Sequence, residues 1–248
     1  MTGTLSHILR HPIKGHGREE MGGVNLTAGA CLPFDRHWAV AHEAAKLTGA
    51  WVPCVNFARG AKAQTLMAIT SVLDEDARRL TLCHPDIGEI TFHPDDPADL
   101  PRFLAWVAPL APAERAQPVQ IISVGRGMTD SEFPSVAVLS LTTLRDLGAR
   151  MGRDLSIHRW RGNLWLDGVP LRAEEDWAGR IIRIGGAVLR VEERITRCRA
   201  TMADPDTGLA AGDTLAALQA AYGHQDFGVY ATVLEGGPVV VGDDWMLQ

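Results

Sequence analysis

The sequence predicts an α+β, β-rich fold in two modules. A β-barrel-like module is expected over residues 1–118, followed by a second β-barrel domain with a few short helices over residues 119–248. Three observations carry this expectation. Many short strand-type runs are separated by Gly, Pro, Asn and Asp turn signals. Only a few stretches show a helical apolar stripe. The Pro- and Ala-rich run Ala108-Pro109-Leu110-Ala111-Pro112-Ala113 has no period and reads as a connector.

Taken in order, Thr4 to Arg10 reads as a first strand, with Trp38 to His42 and Leu66 to Leu73 as others. Leu80 to Cys83 and Glu89 to His93 flank a loop and form a hairpin. Asp99 is placed to cap a short helix with Leu100, Phe103, Leu104 and Val107 on one face. Strands follow near Val119 to Val124 and Val136 to Leu139, then a helix capped by Ser140 that buries Leu141, Leu144, Leu147 and Met151. Asn163 to Leu166, Arg180 to Ile184 and Ala187 to Val191 are strand candidates, the last two joined by a Gly185-Gly186 turn. Asp213 caps a helix through Tyr222, and Phe227 to Leu234 is expected to pair with Val239 to Val241 around Gly236-Gly237.

The net charge of −6 argues against a general nucleic-acid binder, so any anion site must be a local basic island. The N-terminus lacks the apolar core of a signal peptide, and the longest apolar stretch, Phe103 to Ala113, is too short and too Pro-broken to span a bilayer. The expected compartment is the cytoplasm, with no membrane partner. Cys31, Cys54, Cys83 and Cys198 form no Cys-x-x-Cys pair and no iron–sulfur spacing, so they read as free thiols.

The most informative segment runs from Arg194 to Gly208. Cys198 lies between Arg197 and Arg199, after a strand and before a turn-rich loop. Neighbouring cations favour the thiolate, so a lowered cysteine pKa is expected. A thiolate is also the ligand that a soft metal prefers. A buried structural cysteine, with its neighbours on the solvent face, is the competing interpretation. Asp204-Pro205-Asp206-Thr207-Gly208 fails as a calcium loop, because Gly stands fifth and Leu215 occupies the twelfth position; it reads as a rigid turn.

This segment resembles the core motif of MOSC domains, a family named for the C-terminal part of molybdenum-cofactor sulfurase. The family includes mitochondrial amidoxime-reducing components and bacterial relatives. The likeness extends along the chain. His11-Pro12-Ile13-Lys14-Gly15 is similar to the family's Tyr-Pro-(Val/Ile)-Lys-Ser, and Asp35-Arg36-His37-Trp38 to its Asp-Arg-x-Trp. Trp160-Arg161-Gly162-Asn163-Leu164 resembles Phe-Arg-Pro-Asn-(Ile/Leu). Glu174-Glu175-Asp176-Trp177, Ile184-Gly185, Phe227-Gly228-Val229-Tyr230 and Val241-Gly242-Asp243 follow in family order. Gly15 replaces Ser, Gly162 replaces Pro, Met202 replaces Thr, His11 replaces Tyr, and Glu175 stands where Asp is usual.

The resemblance implies a molybdenum–molybdopterin cofactor with Cys198 as the metal ligand and catalytic thiolate. It implies that Lys14, Arg36, Arg161, Asn163 and Arg197 hold the pterin and its phosphate. Cations and amide donors suit that anion. Arg161 and Asn163, two apart on an expected strand, should face the same way. The implied function is reduction of N-hydroxylated small molecules, with electrons from a separate donor protein or reductase. The alternatives are a carrier of the cofactor or of sulfur on Cys198, and a non-catalytic binding module.

Overall fold

The structure, a computed structural model, describes residues 1–248. Nine strands and one helix come first: β1 (Thr2–Arg10), β2 (Ile13–Lys14), β3 (Glu19–Met21), β4 (Gly23–Leu26), β5 (Trp38–His42), β6 (Thr70–Asp74), β7 (Arg79–His84), β8 (Gly88–Phe92), α1 (Leu100–Val107) and β9 (Pro118–Ile122). Then follow β10 (Val136–Ser140), α2 (Leu141–Arg150), β11 (Leu164–Asp167), β12 (Ile181–Ile184), β13 (Ala187–Thr196), α3 (Thr214–Tyr222), β14 (Asp226–Glu235), β15 (Gly237–Val240) and β16 (Asp244–Leu247). The fold is α+β and β-rich.

A closed barrel dominates the C-terminal part. Its strands run β11-β10-β14-β13-β12-β16-β1, and β1 pairs back onto β11 to close the ring. Closure leaves no free edge among these strands. The interior is filled by alternate side chains, including Leu5, Val138, Leu166, Leu189, Ala231 and Trp245. β1 belongs to this barrel although it opens the chain, and β3 extends the sheet from its side.

The N-terminal part adds two three-stranded sheets, β2-β5-β9 and β6-β7-β8. They share a core with α1 that contains Ile13, Trp38, Leu80, Phe92 and Phe103. No helix is long and apolar enough to cross a membrane.

Two expected caps form. Ser140 Oγ accepts from the Thr143 amide at 3.2 Å, and Asp213 Oδ1 accepts from the Ala216 amide at 2.9 Å. Asp99 does not cap α1; its carboxylate accepts from the His93 amide and from Arg102 instead. The Gly185-Gly186 turn joins β12 to β13 as expected, with Gly185 at φ +52°.

Three strand expectations are corrected. Residues 66–73 are not one strand: Gln64–Ala68 is a 3-10 turn, and β6 starts at Thr70. Leu66 to Ile69 are all buried, which an alternating half-exposed strand cannot achieve. The hairpin around Gly236-Gly237 also does not form. β14 already pairs with β10 and β13, so β15 crosses to pair with β4. A Cβ at Gly236 would lie 2.5 Å from the Leu26 carbonyl oxygen, which shows how closely the chain crosses there. Finally, Arg161 and Asn163 precede β11 and do not share a strand face.

Candidate functional site

A cavity of about 260 Å³ opens where the barrel meets the N-terminal sheets. Lys14, Arg36, Arg161, Asn163, Arg197 and Cys198 all line it. The six positions singled out in the sequence, spread over most of the chain, thus converge on one space.

Lys14 ends β2. Its Nζ donates to the Met128 carbonyl at 2.7 Å and to Asp130 Oδ1 at 2.5 Å. Arg36 follows the turn at Phe34-Asp35 and sits at φ +50°. The buried Asp35 carboxylate pairs with its guanidinium and accepts from the His11 amide at 2.8 Å. Breaking such a buried pair by removing one partner costs about 3–5 kcal/mol. Arg36 Nη2 in turn donates to the Arg161 carbonyl at 2.6 Å.

Arg161 terminates the 3-10 turn Ile157–Trp160 at φ +48°. A left-handed non-glycine residue stores about 1–3 kcal/mol of strain, held by its surroundings. The guanidinium reaches the chain around β2 and donates to Gly17 O at 3.0 Å and Ile13 O at 3.3 Å. Arg197 leaves the end of β13, donates to Phe227 O and to Trp160 O at 2.8 Å, and lies over the Trp160 and Phe227 rings.

Arg161 and Arg197 have only carbonyl and ring partners, with no carboxylate paired to either. Burial lowers the Arg161 pKa to about 9, with the Arg36 charge pushing the same way. Burial likewise lowers Arg197 to about 10. A guanidinium stays protonated at working pH. These shifts therefore express the cost of two under-compensated cations, and an anion entering the cavity would relieve it. Asp35 and Asp130 are tied to Arg36 and Lys14. Burial alone would raise the Asp130 carboxyl, but Lys14, Arg36 and Arg59 hold it below the ordinary range.

Cys198 is a free, exposed cysteine two residues past the end of β13. Its carbonyl accepts from the Thr201 amide at 3.2 Å and hydroxyl at 3.1 Å, which fixes the loop. The rest of the motif holds that loop too. Asp204 Oδ1 accepts from the amides of Asp206 and Thr207, making the expected rigid turn. Arg18 donates to Pro205 O at 2.7 Å and pins it.

The thiol does not behave as the flanking arginines suggest. Its pKa is raised, because the crowded cavity wall desolvates it; Asp130 and Cys54 add to the rise, and Arg197 opposes it without prevailing. The Arg197 guanidinium donates to the Phe227 and Trp160 carbonyls and not to the sulfur, so its charge lowers the thiol pKa by less than burial raises it. A thiolate here needs a cation brought from outside, and a soft metal is one.

Asn163 reaches the cavity wall, but its amide is engaged. Oδ1 accepts from the Ala137 amide at 3.0 Å and Nδ2 donates to Leu9 O at 3.1 Å, tying β10 to β1. Tyr230, from the Phe227-Gly228-Val229-Tyr230 run, also lines the wall, and three further wall residues carry no motif of their own: Cys54, Arg59 and Asp130. These three sit in aperiodic stretches, and only folding brings them to the cavity.

No group of three or more His, Cys, Asp or Glu side chains could cage a metal alone. A metal at Cys198 would take its other ligands from a non-protein carrier, and the under-compensated guanidiniums suit a phosphate on that carrier. The residues fit a phosphorylated organic metal cofactor.

The barrel presents one open thiol beside buried guanidiniums that have no paired acid, an arrangement whose chemistry suits an anionic organic group. The chain matches the MOSC domain family model over residues 130–245, just under half of its length. It is 33% identical over 125 residues to mitochondrial amidoxime-reducing component 1 of Mus musculus, a match covering 46% of this chain and 36% of that protein. The aligned part thus spans about a third of the length of that curated relative. In fold, the chain is similar to the YuaD protein of Bacillus subtilis, with a TM-score of 0.50 and 13% identity over 100% of this chain and 96% of that one.

Proposed function

We propose that this protein binds molybdenum–molybdopterin and reduces N-hydroxylated small molecules. Electrons come from a separate donor protein or reductase. The observation that carries the reading is the sharing of one cavity by the open Cys198 thiol and the acid-poor Arg161 and Arg197 guanidiniums. The likeness to an amidoxime-reducing component supports the choice of reaction.

When bound, the cofactor supplies two-electron chemistry at a metal that can accept an oxygen atom. The chain's own residues would hold and orient it. Cys198 Sγ would ligate the metal. Arg161 and Arg197, with Arg36 and Lys14, would hold the pterin and its phosphate. Asn163 would act mainly through the backbone, by keeping β10 and β1 in place behind Arg161. Asp130, on the same wall and paired with Lys14, would be a candidate to relay a proton.

The test is turnover. Purified, molybdenum-loaded protein should consume reduced viologen when given a hydroxylamine or amidoxime, and Cys198→Ser should not. Metal binding without turnover across varied N-oxygenated substrates would instead support a carrier. That second reading is favoured by one feature, the Cys54 thiol on the same cavity wall as Cys198, which suits sulfur handling.

A further inference from the structure

A second cavity of about 230 Å³ lies in the N-terminal part, separated from the first by Arg59, which lines both. Its walls are apolar, built by Phe57, Leu66 and Val107 among others. Lys62 and Arg115 line it as well, and both are exposed. No acidic side chain lines the cavity to neutralise them. In a chain of net charge −6, an acid-free space with three cations is a local basic island.

A buried polar group adds a second requirement. His16 lines this cavity and is fully buried. Its Nδ1 lies 3.0 Å from the Lys14 carbonyl oxygen. A carbonyl only accepts, so Nδ1 carries the hydrogen. Burial lowers the His16 pKa to about 4, so the ring is neutral at pH 7 and Nε2 is a bare acceptor. Nε2 has no hydrogen-bond partner in the protein. Buried acceptors are normally satisfied, and leaving one bare costs about 1–3 kcal/mol.

We propose that this cavity is a second ligand site, for a small carboxylate with an apolar body and a hydrogen-bond donor at its far end. The carboxylate meets Lys62 and Arg115, the body lies against Phe57, Leu66 and Val107, and the donor satisfies His16 Nε2, which neighbouring side chains cover until they give way to it. The volume is below that of drug-sized sites and suits a single ring. The inference does not depend on the molybdenum reading, because none of the proposed cofactor-holding residues lines this space.

The test is a chemical-shift titration of the full chain with 4-hydroxybenzoate. Benzoate lacks the donor and 4-hydroxybenzyl alcohol lacks the charge, so each serves as a control. Saturable shifts around Phe57 and His16 are expected, with binding weakened about fivefold for benzoate and tenfold or more for the alcohol. Because Lys62 and Arg115 are exposed, a Lys62→Ala/Arg115→Ala variant should fold normally; it should bind 4-hydroxybenzoate about tenfold more weakly. Three outcomes would overturn the proposal: no saturation at millimolar ligand, as for a cavity holding only water; affinity unchanged in the double variant; or shifts confined to the Cys198 cavity.

Discussion

Arg36 Nη2 donates to the carbonyl oxygen of Arg161 at 2.6 Å, across 125 positions of sequence. Two cations therefore stand side by side, one fixing the backbone of the other. Asp35 compensates Arg36, while Arg161 is left with carbonyl partners alone. The apoprotein bears an electrostatic cost that a bound anion relieves, and the first prediction rests on this.

Inorganic phosphate should raise the Tm of the apoprotein more than chloride does at equal ionic strength. At phosphate about a hundredfold above its Kd, the gain is roughly 2.7 kcal/mol. For a chain of this size that corresponds to roughly 2–4 °C per kcal/mol. Arg161→Met should abolish the phosphate-specific part. Thermal melts in the two salts check it, and an equal phosphate gain in Arg161→Met would remove Arg161 from the anion site.

Cys198→Ser should leave the fold intact, because the residue is exposed and its carbonyl, not its thiol, holds the loop. The Tm should move by less than about 2 °C. Bound molybdenum, measured by elemental analysis, should fall about tenfold or more, as expected for loss of a metal contact. Full metal content in the variant would end the assignment of Cys198 as ligand.

Gly15→Ser introduces the hydroxyl common in the family, yet it should destabilise this protein. Gly15 has φ +77°, and a Cβ there would lie 2.8 Å from the Ala58 carbonyl oxygen and 3.0 Å from Arg59 Cα. Left-handed strain alone costs about 1–3 kcal/mol. Chemical denaturation reads the loss, and a variant as stable as the parent would contradict the packing of Ala58 and Arg59 against the Lys14 turn.

Glu174 is 2% exposed, both carboxylate oxygens lack hydrogen-bond partners, and burial raises its pKa from 4.5 to about 7. Between those values the folded state holds a proton that the unfolded state has released. Stability therefore falls as pH rises from about 4.5 through 7, by at most roughly 3 kcal/mol. Glu174→Gln should raise Tm at pH 8 and change it little at pH 4.5. A gain of the same size at both pH values would show that burial of the charge is not the cause.

The sequence marked much of the site because its chemistry is local in the chain. A cysteine next to an arginine, before an Asp-Pro-Asp-Thr-Gly turn, is visible without a fold, and the turn forms through contacts spanning a few residues. The caps at Ser140 and Asp213 are local in the same sense. Partner choice was less legible. β15 chose β4 because both edges of β14 were taken, a fact about strands far away in sequence. Cys54, Arg59 and Asp130 joined the cavity from segments with no motif of their own.

By itself, the sequence determined which side chains could ligate and which could carry positive charge, since residue type fixes a thiol or a guanidinium wherever it lands. Only the tertiary structure decided how those groups behave. Burial raises the Cys198 thiol by more than the Arg197 charge lowers it, and packing leaves Arg161 without a paired acid. Field strength and desolvation depend on distance and burial in three dimensions, and neighbours in the chain need not be neighbours in charge.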